Sequence, residues 1–277
     1  MPEAQLLPYA LTTLENVKAL IPGLDNANFD VILTREINAV TEYLEQECNR
    51  RFAMTFYISE QFSQWGSKQK FRMLRHAPVF FLTDIVSIIG GQNIVTLNNI
   101  NGVQKGMPIY GDGILPGTKI TDINGSIITI SNNFIFDSTD AHIFVNGLTS
   151  LQYRAGTPDQ PNWTSFFPPQ FETVDDAKAG IVRIYGYMSS IYNNTIKGDY
   201  WAGWLINWKN AGDNKTHTLP ADITRTCENI VIRQFKRREQ AGKSEQSLES
   251  TVVRYDRQLD QQDLDTIKRY RRVTTIM

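Results

Sequence analysis

Three histidines, two cysteines and one adjacent pair of aspartates are the residues with which this chain could do chemistry, and their spacing argues against most of it. His76, His142 and His217 fall in three separate segments, and none has a second metal ligand at helical or hairpin spacing. A zinc site needs converging Cys/His sets such as CxxC or HExxH, and neither pattern occurs. No GxGxxG or GxxxxGK[ST] loop cradles a phosphate, and no GxSxG elbow presents a serine nucleophile. Gly111-Asp112-Gly113 shares a fragment of a calcium loop without its later ligands, and it reads as a tight turn. Asp175-Asp176 would suit paired-carboxylate hydrolysis, but on a polar loop they read as a solvated acidic turn. Trp163, Trp201, Trp204 and Trp208 would suit sugar or base stacking, against the plainer reading of core or subunit contact. Cys48 and Cys227 sit in apolar helical patterns, as buried thiols do. The expectation is a protein that is not an enzyme and has no metal and no cofactor.

The basic residues point toward contact instead. The formal net charge is −1, so any basic patch is local, and a generic polyanion binder is not expected. Lys236-Arg237-Arg238 and Lys268-Arg269-Tyr270-Arg271-Arg272 both close helical patterns, where cations offset the helix dipole. An acidic partner surface, a solvated face and DNA phosphates remain open for them.

The elements that must position these residues follow from periodicity. Thr12 with Glu15 suggests a capping box opening a short helix that stops at Pro22-Gly23. Phe29, Leu33, Ile37, Val40, Leu44 and Cys48 share one helical face, and Asn49-Arg50-Arg51 ends it. Short aromatic or β-branched runs at 54–58, 71–74 and 79–89 read as strands. From about 91 to 147 the chain is rich in Asn, Ile, Thr and Gly. Runs at 94–97, 108–110, 118–121, 126–131 and 141–145 make it a small all-β module. The stretch to about 199 reads as aromatic and loop-rich, with a strand near 181–187. Pro220 opens a second long helix with Ile223, Cys227, Ile230 and Phe235 on its inner face. Residues 244–259 are polar and extended or partly helical. A last helix starts near 260–263 and carries Leu264, Ile267 and Tyr270. Met1-Pro2-Glu3-Ala4 has neither basic nor apolar leader character, and no run of ~20 apolar residues suggests a membrane span. Synthesis in a cytoplasm and no membrane partner are expected.

Four stations along the chain resemble the head–tail connector (adaptor) proteins of tailed bacteriophages. They are Leu11-Thr12-Thr13-Leu14-Glu15-Asn16-Val17-Lys18 with Glu47-Cys48-Asn49-Arg50-Arg51-Phe52; Leu74-Arg75-His76-Ala77-Pro78-Val79 with Ile85-Val86-Ser87; Leu205-Ile206-Asn207-Trp208-Lys209-Asn210-Ala211-Gly212 with Leu219-Pro220-Ala221-Asp222-Ile223; and Ile267-Lys268-Arg269-Tyr270-Arg271-Arg272. The resemblance covers roughly residues 11–89 and 200–272. The β-module has no place in the family's shorter pattern. Its Gly106-Met107-Pro108-Ile109-Tyr110-Gly111-Asp112-Gly113-Ile114 looks like a small β motif of phage virion proteins.

The resemblance implies a cyclic ring, usually a dodecamer, seated under the portal protein in the virion neck. The ring would extend the channel for double-stranded DNA, without sequence-specific binding, and offer a surface to the next neck or tail protein. The expected fold is α+β: a helical bundle with a small β element (1–89 and 150–258), an inserted all-β module (90–149) and a C-terminal docking helix (259–277). In that scheme Leu264, Ile267 and Tyr270 meet the portal together with Arg269, Arg271 and Arg272. Lys236, Arg237 and Arg238 face the channel or a partner. A tail-associated carbohydrate-binding or hydrolytic protein, using the tryptophans and Asp175/Asp176, and a DNA-binding module are the alternatives.

Overall fold

The computed structural model describes residues 4–22, 27–63, 71–74, 76–157, 160–166, 171–173, 180–184, 195–239, 245–248, 251–254 and 259–271. The chain divides into two compact units. One holds Met1–Phe52, Ile206–Gly212 and His217–Met277, the other Ala53–Leu205 with Asp213–Thr216.

The first unit is helical. α1 (Leu14–Ala19) opens on Thr13, whose side chain accepts the Asn16 N–H, so the cap lies one residue after the expected Thr12. Thr12 is instead buried, and its hydroxyl donates to Glu228 Oε1 at 2.8 Å. α2 (Asp30–Glu47) buries Leu33, Ile37, Val40 and Leu44 on one face, with Cys48 just past its end. α3 (Ala221–Glu239) answers with Ile223, Cys227, Ile230 and Phe235, and Phe29 meets Phe235 edge-on at 5.4 Å. These are the body-helix residues that the periodicity picked out. α4 (Gln261–Tyr270) is the last helix, its N-cap at Asp260.

The second unit is built from strands: β1 (Thr55–Ser63), β2 (Phe71–Met73), β3 (Phe81–Ile88), β4 (Ile94–Thr96), β5 (Ile109–Gly111), β6 (Ile120–Asn124), β7 (Ile127–Ile130), β8 (Ser138–Asn146), β9 (Leu148–Thr157), β10 (Gln160–Ser165), β11 (Phe171–Thr173), β12 (Ile181–Ile184) and β13 (Thr195–Ala202). The largest sheet runs β1-β13-β9-β10, and a smaller one runs β11-β12-β2. The module stacks the sheets β3-β8-β5 and β4-β7-β6 around Val86, Met107, Ile109, Ile128, Phe134 and Ile143. The pairings are antiparallel throughout these ladders. Two further strands, β14 (Glu245–Leu248) and β15 (Thr251–Arg254), pair as a hairpin between α3 and α4.

The expected helical bundle with a small β element is therefore wrong: the fold is a strand-rich α+β one. The error lies in 148–202. Threonine, serine, glutamine and glycine there hide the two-residue alternation, so the long strands β9 and β13 read as loop. The module's limits also differ from 90–149. β3 pairs with β8 from Phe81↔Asn146 to Ile88↔Ser138, so a cut at residue 90 severs a strand from its partner.

Glycine is required at two close approaches. A Cβ on Gly147, between β8 and β9, would lie 2.7 Å from the Trp201 carbonyl oxygen. One on Gly111 (φ +132) would lie 2.2 Å from that of His142. Side chains fit at neither place.

Candidate functional site

The helix expected to stand ready for another protein is held inside its own unit. α4 turns Asp263, Thr266 and Ile267 inward, where all three are buried. Asp263 Oδ2 accepts from Arg233 Nη2 of α3 at 2.6 Å. At the other end, Asp222 in the first turn of α3 takes Arg269 Nη1 on one carboxylate oxygen and the Tyr270 hydroxyl on the other, both at 2.8 Å. The Tyr270 ring meets Phe52 edge-on at 6.2 Å, and Cys48 Sγ donates to the Ile267 carbonyl at 3.7 Å. Burial, then the bond to Asp222, pushes the Tyr270 hydroxyl up to about 12. Burial likewise raises the Cys48 thiol to about 11 and the Cys227 thiol further still. Both cysteines are free and buried, and a thiol so raised is a poor nucleophile.

The sequence's docking set is thus split by the fold. Ile267 and Tyr270 face the unit's own helices, Leu264 is half-buried, and Arg269 and Arg271 are exposed. Arg271 lies 3.8 Å from Glu47. Arg272 lies outside the described residues. An amphipathic helix this short gains most of its stability by burying its apolar face, and here α3 and the end of α2 cover that face.

Sequence reasoning missed Asp222, Asp263, Arg233 and Glu45. Nothing in the spacing of the two aspartates in the sequence shows partners 30 or 47 positions away. Glu45 is buried, accepts the Phe52 N–H at 3.0 Å and pairs with Arg51 at 2.5 Å. It closes the end of α2, and its bond raises the Arg51 guanidinium. Between α3 and α4 lies a cleft of about 220 Å³ lined by Asp222, Arg225, Asn229, Gln262 and Thr266, among others. At the far end of α3, Lys236 is exposed and Arg238 reaches Glu36 at 3.2 Å.

The remaining candidates are scattered. Trp208 belongs to the helical unit, where its Nε1 donates to the Ala10 carbonyl at 2.9 Å. His217 lies beside it, 4.5 Å between rings, and accepts the Asn207 N–H on Nδ1 at 3.1 Å. Burial lowers the His217 pKa from its ordinary value. In the β-unit, Trp163 carries Lys197 Nζ 4.4 Å from its ring centre. Trp201 packs against the module's core and Phe56, and the Trp204 backbone bridges Ala53. Asp175 and Asp176 lie outside the described residues.

Asp112 sits in a turn and accepts the His142 N–H at 2.9 Å, binding that turn to β8. His76 stacks flat on Tyr57 at 3.7 Å and lies 3.3 Å from Glu60, which also takes the Tyr200 hydroxyl. The register Tyr57↔Tyr200 brings these together. This cluster links the strand edge of the core and was not legible from residues so far apart. Among the described residues no three His, Cys, Asp or Glu side chains converge as a metal site, and no helix is long and apolar enough to cross a membrane.

No protein-family model matches the chain, and no curated protein matches it.

Proposed function

We propose that this chain is a structural virion subunit, one of a ring below the portal that joins capsid to tail and extends the DNA channel. One observation carries the reading: segments from opposite ends of the sequence make one helical unit, with α1, α2, α3 and α4 packed together. Three of the four stations that resemble head–tail connectors contribute to that unit. A body closed by its own C-terminal helix is a rigid block, suited to repeated side-by-side contact in a cyclic assembly.

Portal docking in this reading uses the outer edge of α4. Arg269 and Arg271, with side chains 66% and 59% exposed, meet acidic groups, and Leu264 adds apolar contact. Ile267 and Tyr270 act one step behind, by holding the helix in place. Lys236, Arg237 and Arg238 attract passing DNA or a partner by charge alone, which carries no sequence information. The site of action is the virion neck, after synthesis in the host cytoplasm.

The test is electron microscopy of portal-bearing particles incubated with the parent chain or with Arg269→Ala/Arg271→Ala. Rings with a central hole are expected for the parent, and occupancy about tenfold lower for the variant, equivalent to ~1.4 kcal/mol. Unchanged occupancy refutes the docking edge, and particles that never acquire a ring refute the function.

A further inference from the structure

The β-module ends in a tip that is apolar, exposed and firmly built. Three turns meet there. The Gly91 N–H donates to the Phe134 carbonyl and the Ile135 N–H to the Gly113 carbonyl, at 2.8 and 3.0 Å. The Gly90 N–H donates to Asp137 Oδ1 at 2.6 Å. On this frame stand Ile89, Leu115, Ile135 and Phe136, exposed by 52%, 43%, 60% and 47%. Phe134 points the other way and is 2% exposed in the core. Four large apolar side chains gathered on hydrogen-bonded turns form the kind of patch that marks an interaction site.

Charge selects the occupant. Residues 80–147 contain five aspartates against two lysines, a net charge of −3, and Asp112 and Asp137 lie in the tip's own turns. Such a tip is repelled by nucleic acid and by anionic lipid, and favours an apolar surface with basic neighbours. The helical unit has such a surface. Where α3 ends beside the start of α2, Lys236 is exposed, as is Arg238, which also pairs with Glu36 at 3.2 Å; Phe235 packs on Phe29, and Val31 and Leu20 are 37% and 51% exposed. Lys18 meets Asp30 at the same place, at 2.5 Å.

We propose that the module's tip is a subunit-contact device: Ile89, Leu115, Ile135 and Phe136 dock on the α2–α3 end of a second copy, with Asp112 and Asp137 facing its Lys236 and Arg238. The inference rests on the ring reading and names the surfaces of its repeating contact. Because the two surfaces differ, the contact is head-to-tail, the class that generates rings or filaments rather than closed dimers. It also gives the module a role that the minimal connector pattern does not supply.

Two variants test it, both altering exposed residues so that folding is kept: a tip variant, Ile135→Asp/Phe136→Asp, and a receiver variant, Lys236→Glu/Arg238→Glu. In sedimentation and light scattering each alone is expected to self-associate at least tenfold more weakly than the parent. An equimolar mixture is expected to give a one-to-one complex that grows no further, since only one good tip and one good receiver remain. If the parent alone is monomeric, calorimetric titration of one variant into the other at millimolar concentration reads the same contact. Where the parent self-associates, a variant that does so at the parent's level overturns the proposal, and in either case so does a mixture that shows no pairing. So does binding of the parent, but not the tip variant, to phosphatidylcholine vesicles, which assigns the tip to lipid. Rings formed on particles by both variants overturn this contact and leave the ring reading standing. Pairing in the mixture, with no parent ring on portal-bearing particles, supports the contact and overturns the ring reading alone.

Discussion

The helical unit and the β-module achieve stability by opposite means. In the helical unit, polar groups, some buried and some partly exposed, join segments far apart in sequence. Thr12 meets Glu228, Arg233 meets Asp263, and Asp222 gathers Arg269 and Tyr270. The module instead closes on a core of Ile, Val, Met and Phe, and its distant segments are joined by backbone ladders, β3 with β8 and β4 with β7, rather than by side-chain polar links. A unit assembled from both chain ends relies on directional links to set its register, because apolar helix faces slide at little cost. A module of paired strands has its register set by the ladders and by alternation, and can leave apolar side chains over for its surface.

The sharpest test of that contrast is Phe134→Ala, which empties the centre of the module and is expected to cost about 3–5 kcal/mol. Urea unfolding measures the loss. Hydrogen exchange should show protection falling across 94–146 while α2 and α3 keep theirs. Equal loss in both would mean that the two units unfold together and would break the comparison. Next comes Asp263→Ala. Stranding a buried ion-pair partner costs ~3–5 kcal/mol, and because Arg233 keeps a quarter of its side chain in solvent the expected loss is about 2 kcal/mol. Here the exchange should rise in α4 first, with the module unchanged.

Acid separates the units in a third way. The folded-state pKa of His217 lies below its unfolded value of 6.5, so the unfolded chain binds the extra proton first as pH falls. Stability of the helical unit is therefore full above about 6.5 and declines as pH drops from there toward the folded value. Thermal melts from pH 7.5 to 5 should show the decline, and His217→Gln should flatten it. The smallest effect expected is Tyr270→Phe, about 1 kcal/mol for one hydrogen bond to a carboxylate that is 33% exposed. It should also remove the part of the alkaline destabilisation that begins near the unfolded tyrosine's ~10 and runs up to the folded value of about 12.

Periodicity located the helices well. The stripe from Leu33 to Cys48 and the one from Ile223 to Phe235 follow directly from the 3.6-residue repeat, and the Gly- and Asn-punctuated runs of the module became β4 to β8 within a few residues. The fold class was missed in 148–202, where side chains such as Ser150, Gln152 and Lys197 carry no alternation in hydrophobicity strong enough to read. For the residues expected to dock, the sequence shows type but not direction. Leu264, Ile267 and Tyr270 form one amphipathic face under any reading, and amphipathicity does not say whether the covering surface belongs to the same chain.

By itself the sequence determined where helices lie to within a few residues, which residues are apolar enough for a core, and that charge on the whole chain is nearly balanced. These are local properties, decided within a turn or a hairpin. Only the tertiary structure decided that α4 closes its own unit, that Asp222 and Asp263 are ion-pair partners rather than simple helix starters, and that four apolar residues from three turns come together at the module's tip. Those outcomes depend on contacts between residues tens to hundreds of positions apart, whose energies exist only once the chain has folded.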